Sequence, residues 1–231
     1  MSNRLELGAF SFAKDEHELL VLLASATQEL GFDHYSYGVR LPLPKSQPKT
    51  LIFSNYSKRW YQRYVRENYV GIDPTVQHGL RSVLPLQWSS QTAQECPEFW
   101  EEAAAHGLCT GWAQSCFGPS GMIGMLTFSH SNATVPSQAQ ERDMRVLNQV
   151  MHERMTHVLT VQNIMDEVIL LNPRELEVLR WAADGKTSAE AGDILNLSER
   201  TVNFYMGHVL DKLGVTNKTA AVVKAIALNL I

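Results

Sequence analysis

The sequence predicts a two-domain α+β chain: an α-β-α sandwich followed by an all-α, four-helix domain centred on a helix-turn-helix. Three observations lead to that class. The 231 residues suit one large or two small domains, at about 150 residues each. The hydrophobic grammar changes near residues 165–172, from mixed helix and strand periods to helix alone. Past that change, helix caps and stops recur at the short spacing of a helix-turn-helix. The boundaries that follow are a first domain over residues 1–165, a linker over 166–172 and a second domain over 173–231.

In the first domain, Glu16 to Gly31 reads as an amphipathic helix closed by glycine, and His34 to Val39 as a short aromatic, β-branched strand. A Pro-punctuated loop over Leu41 to Pro48 leads to the strand-like Thr50 to Phe53. Ser57 to Asn68 suits a helix with an aromatic and apolar stripe of Trp60, Tyr61, Tyr64 and Val65. Glu98 to His106 reads as a helix ended by Gly107. Thr110 to Phe117 and Met122 to Ser129 flank the turn Gly118-Pro119-Ser120-Gly121 as a β-hairpin. A long helix opens after Pro136 with Ser137 as its cap, and carries Val146, Leu147, Val150, Met151, Met155, Val158 and Leu159 at helical spacing to about Ile164.

The second domain is punctuated by its caps. Asn172-Pro173-Arg174-Glu175 supplies an N-cap, a first-position proline and a Glu at the third position, with Gly185 closing that helix. Thr187 with Glu190 repeats the capping-box spacing for a short helix ending near Asn196. Ser198 caps a third helix whose Val202, Met206, Val209 and Leu213 face inward and which Gly214 ends. Ala220 to Leu230 makes the fourth.

Composition excludes several function classes. Hydrophobic residues are 45% and charged residues 19% of a chain with net charge −4, which argues against a polybasic nucleic-acid coat or a membrane-surface protein. No apolar stretch approaches the roughly 20 residues of a membrane helix, and Met1 to Glu6 lack a signal peptide's apolar core. The expectation is a cytoplasmic protein with no membrane contact. Cys96, Cys109 and Cys116 form no C-x-x-C pair, so neither a disulfide framework nor a zinc ribbon is supported, and they read as small core or pocket residues. The hairpin turn is not a G-x-S-x-G elbow, and no Gly-rich loop precedes a Lys-Ser/Thr pair. His152-Glu153 with His157 lacks zincin spacing, because histidines five apart lie about 140° apart around a helix. They read as solvated helix polars. No catalytic residue, metal or cofactor is expected.

On the third helix of the second domain, inward Val202 and Met206 leave Arg200, Asn203, Phe204 and Gly207 outward. Asn reads adenine bidentately, Phe can meet a thymine methyl, and Arg200, Lys186 and Lys212 can reach phosphates. Yet residues 171–231 hold seven basic residues against seven acidic ones, so non-specific affinity should be weak. That balance favours a homodimer on double-stranded DNA with a two-fold symmetric, inverted-repeat site.

The run Leu171-Asn172-Pro173-Arg174-Glu175-Leu176-Glu177-Val178-Leu179, then Gly185-Lys186-Thr187 and Thr201-Val202-Asn203-Phe204, resembles the DNA-binding domain of the LuxR family. By that resemblance Asn203 and Gly207 fall where relatives present base-facing side chains, and Lys186, Thr187, Arg200, Thr201, Phe204 and Lys212 complete the candidate DNA-binding set. The chain departs from the family at Ala191-Gly192, usually Ile-Ala, and at Tyr205, commonly His.

The first domain must then supply the input. A phosphorylated receiver would open with a strand leading into paired acidic residues; here Asp15-Glu16 stands at the start of the helix over Glu16 to Gly31 and Asp166-Glu167 lies in the linker, which argues against one. Tyr56, Trp60, Tyr64, Asp73, Thr75, Trp88, Phe99, Trp112 and Thr127 instead provide aromatics with a few polar groups, as an apolar pocket requires. Asp73 weighs most among them: burying a carboxylate is costly unless a donor meets it, and Pro74 biases it to extended geometry. Trp112 reads as core.

This region is similar to the autoinducer-binding domain of LuxR-type acyl-homoserine-lactone receptors, a GAF/PAS-like sandwich, most nearly the pseudomonad group of LasR, RhlR and QscR. Trp60, Tyr64, Asp73, Pro74, Trp88 and Gly111 stand at its signature positions. The resemblance implies that Trp60 donates to a lactone carbonyl, that Asp73 accepts the ligand amide N–H, and that Tyr56 and Thr127 bind the amide carbonyl. Ser129 shares the Thr127 strand face as second choice. Tyr64, Trp88 and Phe99 would wall the ring, with Thr75 adding a polar contact.

The implied protein is a quorum-sensing transcription factor. It binds an N-acyl-homoserine lactone, dimerises through the long helix and sits on promoter DNA, where RNA polymerase is a further partner. The rivals are a LuxR-type regulator answering a different small molecule and, more distantly, a lactone-hydrolysing enzyme.

Overall fold

The computed structural model describes residues 7–42, 49–90, 95–118, 121–161 and 169–231. The chain divides into two compact units, an amino-terminal one carrying the sheet and a carboxyl-terminal one made of helices.

In the amino-terminal unit, α1 (Leu7–Phe12) is followed by α2 (Glu16–Glu29), which starts where Asp15 accepts the Glu18 amide and buries Leu19, Leu23 and Ala26. Next come β1 (His34–Arg40), β2 (Thr50–Ser54), α3 (Lys58–Arg66), a 3-10 turn (Tyr69–Gly71) and α4 (Pro74–Gly79). Then follow β3 (Leu86–Ser89), α5 (Pro97–Ala105), β4 (Thr110–Phe117), β5 (Ile123–His130) and α6 (Gln138–Val161). The five strands form one antiparallel sheet in the order β2-β1-β5-β4-β3. The α+β class read from the sequence is the class observed.

Residues alternate across the sheet, so register decides which side chains share a face. Tyr35, Tyr37 and Val39 of β1, Leu126 and Phe128 of β5 and Trp112 of β4 are buried on one face. Against that face α6 sets Met144, Leu147, Met151, Met155, Val158 and Leu159, all at most 2% exposed. Ser36, Gly38, Thr127, Ser129 and Gly111 point to the other face, toward the layer built by α3, α4 and α5.

Three elements were not legible in the sequence. The edge strand β3 is only four residues long, and α1 and α4 six each, too short for a period to show. The α3 stripe also narrows: Trp60 is buried and Tyr64 half-buried, but Tyr61 and Val65 are exposed. Trp60 and Tyr64 lie four apart on one face, and Tyr61 and Val65 lie beside it. The turn residues Pro119 and Ser120, residues 43–48 of the Pro-punctuated loop and residues 166–168 of the expected linker fall outside the described residues.

His152 corrects the expectation of a solvated helix polar. It is 1% exposed, and its Nδ1 lies 2.7 Å from the Tyr37 hydroxyl. A Cβ on Gly124 would collide with the imidazole ring, so that glycine opens the sheet to it. Glu153 and His157 are exposed.

The carboxyl-terminal unit holds α7 (Pro173–Ala183), α8 (Ser188–Leu195), α9 (Glu199–Leu213) and α10 (Lys218–Ala227). Capping boxes form at Asn172 with Glu175 and at Thr187 with Glu190, and Ser198 accepts the Thr201 amide. The fourth helix starts at Lys218, two residues before the expected Ala220, because Asn217 caps it through the Ala220 amide. Gly192 has a reason to be glycine: a Cβ there would stand 2.7 Å from the Leu197 carbonyl oxygen, in the turn between α8 and α9. Val178, Leu179, Ala191, Val202, Met206, Val209 and Leu213 close the core.

Burial lowers the His152 pKa from 6.5 to about 4, because the imidazolium loses its hydration. The unfolded chain therefore binds this proton more tightly than the folded one. Stability from this group is complete above the unfolded value and falls as pH drops from 6.5 toward 4, by up to about 3 kcal/mol. In His152→Gln, thermal unfolding should lose much less stability than the parent between neutral pH and about pH 5. Equal losses in both proteins would show that other groups set the acid sensitivity.

Candidate ligand pocket and nucleic-acid interface

The layer over the free face of the sheet is aromatic. Ser57 starts α3 by accepting the Trp60 amide at 3.2 Å, which turns Trp60 inward, 2% exposed. Its ring lies 5.9 Å from Tyr64, 5.9 Å from Tyr69, 6.0 Å from Phe99 and 5.3 Å from His106. Tyr56 and Trp88 pack on the same cluster, and Trp88 stacks on Trp100 at 4.9 Å. Gly111 makes room for Trp88, since a Cβ there would collide with the indole. Arg63 locks α3 to α5 through a bidentate pair with Glu102 at 2.9 and 2.7 Å, and the Tyr69 hydroxyl donates to Glu102 at 2.9 Å.

Asp73 is the charged group in this layer, 8% exposed. Its Oδ1 accepts the Thr75 amide at 2.8 Å and the Thr75 hydroxyl at 2.7 Å, and its Oδ2 accepts the Tyr64 hydroxyl at 2.9 Å. Burial raises its pKa, against the hydrogen bonds from Thr75 and Tyr64 that hold the carboxylate form. The Val76 amide also favours the carboxylate form, so the acid is held by donors from α3 and from the first turn of α4. Burial, with Asp73 beside it, raises the Tyr64 pKa well above its usual value and keeps that hydroxyl a donor.

Two further polar groups converge here. Burial raises the pKa of the Tyr56 hydroxyl, which faces the Ser129 hydroxyl. The contact falls short of a well-formed hydrogen bond, and Ser129 Oγ, fully buried, has no partner. Trp88 Nε1 is likewise buried and unpartnered. Among the described residues eight buried side-chain polar atoms lack a partner, and these two lie at the aromatic cluster and at Tyr56 beside it.

The structure thus gathers Tyr56, Trp60, Tyr64, Asp73, Trp88, Phe99 and Ser129 around one region. Thr75 serves it indirectly, since both its donors go to Asp73. Thr127 shares the strand face but lies one pleat along from Ser129. Tyr69 and Trp100 belong to the cluster and were not singled out from the sequence. Trp100 follows Phe99 directly and both are buried, a case in which helical spacing alone selects one of two neighbours.

On α9, Arg200, Asn203 and Phe204 are exposed, Phe204 by 58%, and Gly207 has open space where a Cβ would stand. The Asn203 Oδ1 accepts the Ser188 hydroxyl at 2.7 Å, which orients its amide from the neighbouring helix. His208, one turn on, lies 4.3 Å from the Phe204 ring and extends the same face; its i+4 spacing from Phe204 was the available signal.

Other candidates already serve the fold. Thr187 and Thr201 bond within their helix caps. Lys212 donates to Glu175 at 2.7 Å and to the Leu170 carbonyl at 3.2 Å. Glu175 is 1% exposed and also accepts the Asn172 amide. Burial pushes its pKa up, but Lys212 and the Asn172 amide outweigh that and hold it below the usual range. The sequence reading of Lys212 as a phosphate contact thus meets a lysine tied down by a buried carboxylate. Among the described residues no group of three or more His, Cys, Asp or Glu is placed to hold a metal, and no helix is long and apolar enough to cross a membrane.

Residues 6–155 match the autoinducer binding domain model, and residues 170–225 match the model for bacterial regulatory proteins of the luxR family. The chain is 42% identical over 230 residues to the transcriptional activator protein AnoR of Acinetobacter nosocomialis, covering 97% of each chain. It is 36% identical to the HTH-type quorum-sensing regulator RhlR of Pseudomonas aeruginosa, covering 94% of this chain and 91% of RhlR. The crystal structure of Escherichia coli SdiA superposes with a TM-score of 0.80 at 33% identity, covering 97% of this chain and 95% of SdiA. A second SdiA structure, in complex with octanoyl-rac-glycerol, gives a TM-score of 0.78 at 32% identity over 96% of this chain and 92% of that one. These proteins regulate transcription and are not enzymes.

Arg200 and Lys212 should separate cleanly. Arg200→Ala should weaken DNA binding and lower the salt slope by about one, as for a lost phosphate contact. Lys212→Met should instead lower the melting temperature, since it strands a buried carboxylate at a cost of about 3 kcal/mol, and leave the salt slope unchanged. Fluorescence anisotropy across salt concentrations, with thermal melts, checks both.

Proposed function

Because the chain belongs to the LuxR family of bacterial regulatory proteins, with an autoinducer-binding domain ahead of its helix-turn-helix, we propose that its signal is an N-acyl-homoserine lactone. The observation that carries this reading is the buried Asp73, a carboxylate kept beside the aromatic cluster of Trp60, Tyr64 and Phe99. A carboxylate there can only accept, which suits a secondary amide N–H. Trp60, which can only donate, suits the lactone carbonyl, with Tyr64, Trp88 and Phe99 around the ring. Tyr56 and the unpartnered Ser129 hydroxyl suit the amide carbonyl, and this geometry favours Ser129 over Thr127 for that contact.

The regulator acts in the cytoplasm as a homodimer on an inverted-repeat promoter site, where it meets RNA polymerase. The balanced charge of residues 171–231 supports two copies acting together. The sequence reading placed the dimer contact on α6, yet that helix turns its apolar residues to the sheet and exposes mainly Arg142, Asp143, Arg145, Val146, Gln149, Glu153 and His157. The helix α10 exposes Val223 and Ile226, by 44% and 54%, three residues apart on one face, and is the better apolar contact.

A second reading has one specific support, the SdiA complex with octanoyl-rac-glycerol. An acylglycerol shares the acyl carbonyl but has no amide N–H. Octanoyl-homoserine lactone and octanoylglycerol therefore form a discriminating pair.

Lactone at a hundredfold above its Kd should stabilise the protein by about 2.7 kcal/mol, read as a rise in melting temperature. Asp73→Asn replaces an acceptor by an NH2 donor, so lactone affinity should fall about tenfold or more with folding retained. Equal affinity in parent and variant would remove Asp73 from the site, and stabilisation by octanoylglycerol alone would favour the second reading. Asn203→Ala should lose operator binding while the lactone-induced melting shift persists; operator affinity equal to the parent's would take Asn203 off the bases.

A further inference from the structure

Residues 169–231 hold four glycines, Gly185, Gly192, Gly207 and Gly214, and the fold accounts for three of them. Gly185 and Gly214 take φ of +81° and +60°, a backbone region that favours glycine. Gly192 stands where a Cβ would lie 2.7 Å from the Leu197 carbonyl oxygen. Gly207 has no such reason. It sits inside α9 with helical backbone, and, its own helix backbone and chain neighbours aside, no described atom lies within 4 Å of where its Cβ would be. A glycine inside a helix loses more backbone freedom on folding than an alanine would, so nothing within the chain favours it there. A partner that comes up against the backbone would.

Gly207 lies at the centre of the outward stripe of α9. At about 100° per residue, Arg200, Asn203, Phe204 and Asp211 all fall within about 60° of it around the helix, and all four are exposed. Asn203 and Phe204 stand one turn before it and Asp211 one turn after, which leaves a notch one side chain deep. Its walls are set. Asn203 Oδ1 accepts the Ser188 hydroxyl at 2.7 Å, and the Phe204 ring, 58% exposed, lies 4.3 Å from the His208 ring. With bare backbone for a floor and an aromatic ring at one side, the notch is apolar and as large as the missing Cβ. In the major groove the apolar group on a base edge is the thymine methyl, and the other edges present donors or acceptors. Those would lose hydration against Gly207 and gain no hydrogen bond.

We propose that Gly207 determines specificity through the side chain it lacks: its notch takes the methyl group of one operator thymine, with the Phe204 ring against that methyl. The proposal rests on the reading of α9 as the base-contacting helix and names one base pair within it. A methyl on the protein and a methyl on the base cannot both occupy the notch, so the chain carries glycine at a position where alanine makes the more stable helix.

The test moves the methyl between protein and DNA. The full-length protein first selects its site from a pool of random duplexes, and each thymine of the selected half-site is then replaced in turn by deoxyuridine, which removes the methyl alone. Parent affinity should fall about fourfold at one of these positions. Gly207→Ala should melt a few degrees above the parent and bind the thymine duplex about tenfold more weakly, since its methyl meets the thymine's. On the duplex with deoxyuridine at that same position, the variant should recover most of the loss. A Gly207→Ala protein that binds the selected site with the parent's affinity overturns the proposal and leaves α9 on the bases. So does one whose loss is the same on every deoxyuridine duplex, because the freedom of the helix backbone would then be what the glycine supplies. An Asn203→Ala protein that binds the selected site as tightly as the parent, or a folded parent that selects no sequence, takes α9 off the bases and the notch with it.

Discussion

A carboxylate inside an aromatic layer is the constraint around which the sensing half is organised. Asp73 can stay there only because Thr75 and Tyr64 surround it with donors, and each of those donors is fixed by something else. Pro74 at the first position of α4 makes Asp73 the helix cap, which delivers the Thr75 amide without any side-chain search. Trp60 and Tyr64 lie one turn apart on α3, so the ring that fills the layer and the hydroxyl that meets Asp73 arrive together. The Arg63–Glu102–Tyr69 cluster holds α3 against α5 from outside. An exposed ion pair contributes little stability; what this one adds is a fixed distance between two helices of the aromatic layer.

Both faces of the sheet bury polar groups. Under α6, His152 Nδ1 meets the Tyr37 hydroxyl and the ring fills the space that Gly124 leaves, while His152 Nε2, Trp112 Nε1, Asn148 Oδ1 and Thr156 Oγ1 have no partner. On the opposite face Ser129 Oγ, which faces Tyr56, and Trp88 Nε1 of the aromatic cluster are unmatched. Uncompensated buried groups cost about 1–3 kcal/mol each. A molecule that supplies the partners missing at Ser129 and Trp88 stabilises the folded chain. Ligand binding and completion of the fold are then the same event, which is how a small molecule can control a regulator's folded population.

What the sequence made legible follows the range of the interactions. Caps are local, and Asn172 with Glu175, Thr187 with Glu190, Ser198 and Gly214 all stand where the residues alone put them. The aromatic and carboxylate set was legible as an inventory, and Asp73 could be singled out because an isolated acid before proline in an apolar run demands donors. Orientation was not legible. Whether Tyr61 or Tyr64 turns inward, or whether Thr127 or Ser129 faces Tyr56, depends on strand register and on the helix laid across it. His152 escaped for the same reason, since its partner Tyr37 lies 115 positions away. Lys212 looked like a free cation because nothing within its own helix pairs it; the buried Glu175 that holds it comes from α7.

That last case bears on how the DNA-binding half reaches its target. Neutral overall, it also keeps Lys212 and Arg174 in ion pairs with Glu175 and Glu177, so few cations on one copy remain for phosphates. Each missing phosphate contact removes close to one unit of salt slope and the affinity that goes with it. For the proposed homodimer, a surface this lean in charge draws its binding from the proposed base contacts at α9 and from being present twice. Two weak half-site contacts joined in one molecule bind far more tightly than either alone, because the second is made at high effective concentration. In that proposal the lack of a strong electrostatic hold on random DNA is useful: occupancy would follow the amount of folded, paired protein, the quantity that a ligand completing the sensing core would change.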